Sequence, residues 1–323
     1  MLYLSIIFAV IPILIYLIIL WRLDKYEREP LKSLLFHFLW GMIGAAILSI
    51  VFSSIINKNL LYKITSVENA EFLSTIITAP IVEEFLKGII LLLTVRKSFF
   101  DNLTDGIVYG GAIGLGFGMT ENFLYFFFST NNLNELIYLA LIRNLFSVST
   151  HFIASATFGV FVALSKFKSF NLKIVTIITG YFIAVGIHLI WNFAVSFNLT
   201  FFIGILFILI TLIVMFGLFQ FSLSFERNIL IYEMNDEIQN GNLNHKFASV
   251  IPDYKLRTSK GWIDEKFRKD YIKLATKLAF RKNQLKNISN FKLKVIYENE
   301  VNDLRNKLNQ LELASEGLLN NEY

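Results

Sequence analysis

Two adjacent glutamates and a lysine interrupt an apolar stretch long enough to span a membrane. Glu83, Glu84 and Lys87 lie within the run FLSTIITAPIVEEFLKGIILLLTV. A charge at the centre of a transmembrane helix costs roughly 2.5 to 3.5 kcal/mol on insertion scales, so such groups need partners and mark a functional site. Lys87 follows Glu84 by three residues and Glu83 by four, and it can neutralise one carboxylate while the other points about 100° away. One glutamate therefore stays free to act.

Polar residues at helical spacing recur in the apolar segments that follow. They are Thr120, Glu121 and Asn122, then Arg143, Asn144, Ser147, His151 and Ser155, then His188, Asn192 and Ser196. A carboxylate among them can act as general base on a water molecule, directly or on a metal-bound one, while histidine or asparagine stabilises the oxyanion. Two histidines and a carboxylate also form a common catalytic zinc set. The spacing leaves both mechanisms open, because the residues come from different helices.

Each of these residues also has a structural interpretation. Arg143 can neutralise a nearby acid, Asn192 can join two helices, and Glu83 with Lys87 can form a structural ion pair. Jointly, however, the five ionisable residues Glu83, Glu84, Lys87, Glu121 and Arg143 would cost on the order of 15 kcal/mol without mutual compensation. Their number favours a functional cluster. A transporter or channel that relays protons or a cation, and a scaffold that recruits partners through its tail, are the competing hypotheses.

The elements that position this cluster are apolar helices. Of the 323 residues, 55% are hydrophobic and 17% are charged, as in multi-pass membrane proteins. Seven segments reach the length of about 20 residues that a span needs. They lie near residues 2–20, 33–56, 72–95, 104–128, 136–164, 173–197 and 200–223. The predicted fold class is an all-α transmembrane bundle.

Loop charges predict the orientation of the bundle. Arg22, Lys25 and Arg28 follow the first span, which has no basic residue before it and is typical of an uncleaved anchor. The positive-inside rule then puts the N-terminus outside and the 21–32, 96–103 and 165–172 loops in the cytoplasm of a cell-membrane protein. At 1.5 Å per residue, Glu83 and His151 fall near mid-membrane, and Glu121, His188 and Asn192 fall in the outer half.

Residues 1–224 thus form a predicted membrane domain, and residues 225–323 a charged, mostly helical cytosolic tail. Helices are expected over 262–286 and 291–316, and Leu304, Leu308, Leu311, Ser315 and Leu318 have the spacing of a short coiled-coil seam. These helices either pack on one another or on the membrane surface, or they form a module that docks a specific partner. Glycines at 106, 110, 114 and 118 predict close helix packing that brings Glu121 against a neighbour. There is no cysteine, and no recognised motif accompanies the net charge of +5 to indicate a nucleic-acid partner.

Five motifs in order resemble those of the PrsW family of intramembrane proteases. They are DKYEREP at 24–30, Pro80-x-x-Glu83-Glu84-x-x-Lys87, DGIVYG at 105–110 leading to Gly116-Phe117-x-x-x-Glu121-Asn122, then His151, then His188-x-x-x-Asn192. The similarity covers roughly residues 1–220, and the tail matches nothing in the family core.

The resemblance implies an endopeptidase related to the CAAX prenyl endopeptidases and bacteriocin-processing enzymes. It implies cleavage of a membrane-anchored protein on the extracytoplasmic side, as in first-site cleavage of an anti-sigma factor. By motif, Glu83 or Glu84 would activate water, Lys87 would be the electrostatic partner, and Asn192 would assist the oxyanion. Glu121, His151 and His188 would be catalytic or metal-binding, with Glu83 or Glu84 as further ligands. Zinc is the expected metal, and a metal-free glutamate mechanism stays open.

Overall fold

The computed structural model is helical. It describes residues 1–97, 100, 102–286, 288 and 291–319, and no strand occurs among them. This architecture confirms the predicted all-α class.

Seven long helices correspond to the seven predicted spans. They are α1 (Leu2–Leu23), α2 (Leu31–Ile64), α3 (residues 67–94), α4 (Leu103–Ser129), α5 (Leu133–Ser165), α6 (Phe170–Val195) and α7 (Phe201–Gln239). Within the described residues, α1, α2, α5, α6 and α7 are long and apolar enough to cross a membrane. The other two carry the Glu83–Lys87 motif and the glycine-rich run, which lower their apolar character. The structure thus supports five spans by length and composition, and the count of seven stays a prediction.

Three of these helices contain π-helical turns, in which one extra residue shifts the helical register. They occur at Trp40–Ala45 and Asn57–Leu61 in α2, at Ser74–Thr78 in α3 and at Arg143–Ser147 in α5. Such turns are frequent at functional sites. Those in α3 and α5 precede Glu83 and His151 on the same helices, so they help to set the direction in which these side chains point.

The chain forms two compact units. The membrane unit comprises Met1–Asp24 and Glu29–Gln220, and the C-terminal unit comprises Lys25–Arg28 and Phe221–Tyr323. The predicted tail boundary at residue 225 coincides with no helix end, since α7 runs unbroken to Gln239. The core of the membrane unit lies between α3, α4, α5 and α6, where Leu91, Tyr109, Ala154 and Ala184 are buried together.

The C-terminal unit has an apolar core of its own. After α7 it contains α8 (His245–Ala248), α9 (Tyr254–Thr258), α10 (Glu265–Leu285) and α11 (Phe291–Leu319), which agrees with the two predicted tail helices. Leu304 and Leu308 of the predicted seam are buried against Tyr271 and Leu278 in this core. The seam therefore packs internally; the side chain of Leu318 lies outside the part of the chain that the structure describes.

Residues Lys25–Arg28 of the loop between α1 and α2 belong to this C-terminal unit, and Arg257 contacts them. The Arg257 guanidinium lies 5.2 Å from the ring centre of Tyr26 and 5.6 Å from that of Tyr254. It also donates hydrogen bonds to the carbonyl oxygens of Lys25 and Tyr26. Arginine suits this position because its planar group stacks on aromatic rings while donating several hydrogen bonds.

Candidate active site

The Glu83–Lys87 motif lies on α3 with its charges unequally paired. Lys87 Nζ is 2.6 Å from Glu84 Oε1 but 3.9 Å from Glu83 Oε2. Glu84 and Lys87 are fully buried, whereas 14% of the Glu83 side chain is exposed. Lys87 therefore compensates Glu84, and Glu83 is the more accessible carboxylate.

Glycines on α4 bring its backbone into contact with α5. A Cβ atom at Gly110 would lie 2.3 Å from the carbonyl oxygen of Ser155, and one at Gly114 would lie 2.2 Å from that of His151. Only glycine allows this approach. The contact confirms the predicted packing face, and it holds Glu121, two turns after Gly114, beside His151.

Glu121 joins a histidine to an arginine. Its Oε2 lies 2.6 Å from His151 Nε2 and 2.9 Å from Arg143 Nη2. Arg143 is itself held by a 2.9 Å hydrogen bond from Nε to Asn122 Oδ1, and its guanidinium stacks 3.6 Å from the ring centre of Tyr125. The cation that compensates Glu121 is thus fixed in position by two further contacts.

The second histidine makes the same kind of contact on the α3 side. His188 Nδ1, on α6, is 2.9 Å from Glu84 Oε1, and His188 Nε2 is 3.9 Å from Glu83 Oε2. The rings of His151 and His188 meet edge to face with centres 4.8 Å apart. Two chains of contacts, Lys87–Glu84–His188 and Arg143–Glu121–His151, therefore converge on Glu83.

Similarity to known proteins decides the family. Residues 29–219 match the family described as PrsW family intramembrane metalloprotease. The chain belongs to the PrsW family. Glu83, Glu84, Lys87, Glu121, Arg143, His151, His188 and Asn192 all lie within the matched residues.

Several curated relatives bear the name Protease PrsW. The one from Clostridioides difficile (strain 630) is 33% identical over 163 residues, 50% of this chain and 65% of that protein. The one from Bacillus subtilis (strain 168) is 29% identical over 147 residues, 45% of this chain and 62% of that protein. The one from Geobacillus kaustophilus (strain HTA426) is 32% identical over 148 residues, 45% of this chain and 59% of that protein. The chain thus spans less than two thirds of each of these PrsW proteins, and no solved structure matches it.

The PrsW family description implies a metal, and the donor atoms of the cluster fit one. One ligand atom each from Glu83, His151 and His188 lie within 4.8 Å of one another. Two imidazoles and a carboxylate suit zinc. Each histidine also contacts a further carboxylate, Glu84 for His188 and Glu121 for His151, which is how proteins orient metal-binding histidines. The residues therefore fit a divalent ion.

Not every predicted residue of this PrsW site joins the cluster. The Asn192 side-chain amide donates a 2.9 Å hydrogen bond to the carbonyl oxygen of Thr75, on α3. Its role at the oxyanion stays a prediction. Ser155 Oγ lies 3.5 Å from Glu84 Oε2, at the limit of a hydrogen bond. The buried side chain of His37, on α2, makes hydrogen bonds with the Thr94 hydroxyl and the carbonyl oxygen of Ser33.

Two aromatic residues at the site had no predicted role. Phe117 lies on α4 with its ring centre 4.2 Å from Lys87 Nζ and 5.1 Å from the His151 ring. Tyr125 supports Arg143. The motif Gly116-Phe117-x-x-x-Glu121 contained the signal for Phe117, because residues four apart on a helix share a face. Tyr125 has the same spacing from Glu121, but its partner Arg143 comes from another helix and could not be read from that spacing.

Proposed function

We propose that this chain is an intramembrane endopeptidase that hydrolyses a peptide bond of a membrane-anchored protein, with Glu83 as the general base. One observation carries the proposal: among the described residues, no hydrogen-bond donor meets the buried Glu83 Oε2. This atom lies beside His188 and near His151, in helices that build a membrane bundle. A carboxylate oxygen that accepts no hydrogen bond inside such a cluster is available to accept a proton.

The charges of the cluster support the same assignment. Three carboxylates, Glu83, Glu84 and Glu121, face two cations. Lys87 lies within 2.6 Å of Glu84 and Arg143 within 2.9 Å of Glu121. Glu83 is the carboxylate farthest from a cation, since its Oε2 is 3.9 Å from Lys87 Nζ, and this favours Glu83 over Glu84 as the glutamate that acts. The other two carboxylates are held as partners of histidines.

In the proposed reaction, Glu83 accepts a proton from water while the water oxygen attacks the carbonyl carbon of the scissile bond. The carbonyl oxygen becomes an oxyanion, for which our candidate donor is the Asn192 amide hydrogen that is not bonded to the Thr75 carbonyl oxygen. The proton on Glu83 then passes to the amine nitrogen as the C–N bond breaks. A divalent ion on Glu83, His151 and His188 would supply Lewis-acid chemistry to the same site.

Substrate and orientation extend this proposal. The predicted topology places the tail in the cytoplasm and the cluster between the midplane and the outer face. A single-span protein cut near its extracytoplasmic side fits that geometry, and an anti-sigma factor is the substrate that the family resemblance suggests. Exposure within the cluster supports access at Glu83 and Glu121, whose side chains are 14% and 27% exposed while Glu84 is buried.

The test is cleavage in proteoliposomes that contain the full chain and a single-span reporter tagged at both ends. Glu83→Gln keeps the size of the side chain and removes the base, so cleavage should fall by about 10²-fold or more. Glu71→Gln, an exposed position near the start of α3, is the matched control and should cleave like the unchanged chain. Undiminished cleavage by Glu83→Gln would overturn the assignment. Ion flux lost in Glu83→Gln, with no proteolysis by any variant, would instead support the transporter hypothesis.

A further inference from the structure

The Lys87 ammonium group lies among the atoms that fit a metal ion. Lys87 Nζ is 3.1 Å from His151 Nδ1, 3.9 Å from Glu83 Oε2 and 2.6 Å from Glu84 Oε1. Its side chain is buried, with Phe117 beneath the ammonium. The ammonium group therefore occupies part of the space in which a metal ion would contact Glu83 and His151.

Hydrogen-bond roles show how Lys87 engages His151. An ammonium group has donors and no acceptor, so His151 Nδ1 must accept from Lys87. His151 Nε2 then carries the proton and donates to Glu121, at 2.6 Å. Both ring nitrogens are engaged in this arrangement. A metal can bind His151 only if one of the two contacts is given up.

The Lys87 contact is the weaker of the two. Glu121 is anchored by Arg143, whereas Lys87 Nζ reaches His151 at 3.1 Å and keeps a shorter contact with Glu84. We propose that Lys87 is a built-in competitor of the metal, because its ammonium and a divalent ion share the lone pair of His151 Nδ1 and the field of Glu83. The divalent ion binds when the Lys87 ammonium withdraws from His151.

The consequence is a zinc site that Lys87 weakens. Lys87→Met removes the ammonium while keeping an unbranched side chain, and it should tighten zinc binding about tenfold or more, the lower end of the usual effect of groups that contact a metal ligand. Arg143→Met is the matched control. It removes the other cation of the cluster, with the same change in net charge, but Arg143 contacts Glu121 and no atom of the donor set.

The experiment is a zinc titration of the purified, chelator-stripped full chain by calorimetry. We expect Lys87→Met to bind one zinc about tenfold more tightly than the unchanged chain. Arg143→Met should change the affinity much less, and His188→Ala in the Lys87→Met background should abolish the tight site. Equal tightening by Arg143→Met would show that net charge is responsible, and would overturn competition at His151. Tight stoichiometric zinc in the unchanged chain, with no gain in Lys87→Met, would overturn it as well.

A charge-balanced variant covers the case in which Lys87→Met does not fold. Glu84→Gln combined with Lys87→Met removes both charges of the ion pair, and the side-chain amide oxygen introduced at position 84 can still accept a hydrogen bond from His188. Because loss of the Glu84 carboxylate itself weakens metal binding, the tightening is expected relative to Glu84→Gln alone. The elution volume in size-exclusion chromatography and the melting temperature, each compared with the unchanged chain, show whether a variant is folded. The inference rests on the proposed function only in treating the cluster as the active site. The titration measures zinc affinity and not cleavage. The inference about Lys87 can therefore fail while Glu83-dependent cleavage is observed, and cleavage can fail to depend on Glu83 while the zinc result holds.

Discussion

The ion pair between Glu121 and Arg143 should stabilise the membrane unit measurably. Its charged atoms are 2.9 Å apart, and the side chains are 27% and 11% exposed. At an effective dielectric constant of about 20, Coulomb's law gives about 6 kcal/mol of attraction, much of which is offset by desolvation. Removing one partner of a buried pair costs about 3 to 5 kcal/mol. Because Glu121 is partly exposed, we expect about 3 kcal/mol, the lower end of that range, for Arg143→Gln.

A double-mutant cycle measures this pair. The free energy of unfolding is obtained by denaturant titration in mixed micelles for the unchanged chain, Glu121→Gln, Arg143→Gln and the double variant. Because the second substitution removes the charge that the first left unpaired, we expect a coupling energy of about 2 kcal/mol. The exposed pair Asp303 and Lys307, at 2.6 Å, is the matched control and should be additive within error. Additivity of Glu121 and Arg143 would refute the assigned pairing.

Two further predictions concern packing and pH. Gly110→Ala should lower the melting temperature strongly, because the new methyl group would meet the Ser155 carbonyl oxygen at 2.3 Å, whereas Gly186→Ala, with nothing within 4 Å, should not. In the C-terminal unit, burial raises the pKa of Glu312 above its ordinary value of 4.5. The folded state therefore binds this proton more tightly than the unfolded state, and Glu312 contributes stability as the pH falls from neutral through its raised pKa. Unfolding at several pH values should show this gain, and Glu312→Gln should remove it; an equal gain in that variant would contradict the assignment.

Hydropathy and periodicity predicted the helices well because both are local. The segments predicted at 104–128 and 173–197 fold as Leu103–Ser129 and Phe170–Val195. The predicted tail boundary at 225 lies inside a helix, because it was placed where the composition changes and such a change does not end a helix. Backbone hydrogen bonds link residues four apart whatever the surroundings, so α7 continues to Gln239 where the composition changes.

Pairing within the cluster could not be read from spacing. Lys87 lies within helical reach of both Glu83 and Glu84, and only the structure shows that its Nζ is 2.6 Å from Glu84 and 3.9 Å from Glu83. Glu84 also contacts His188, which comes from α6 and could not be assigned to either glutamate by spacing. For Asn192, the motif spacing is present but the observed contact lies elsewhere. Its spacing from His188 matches the motif, yet its amide meets the Thr75 carbonyl oxygen, because an adjacent turn of α6 faces a different part of α3.

The sequence by itself determined the composition of this protein's site. An all-α membrane bundle, the charged residues inside it and the glycine face on α4 follow from residue type and helical period, which act over a few residues. Only the tertiary structure showed that Lys87 forms its close ion pair with Glu84 and that Arg143 forms one with Glu121. It also showed that Glu83 lies near both His151 and His188. These pairings depend on distances between side chains of separate helices. A shift of a few tenths of an ångström changes which ion pair or hydrogen bond forms, and local sequence does not fix distances that closely.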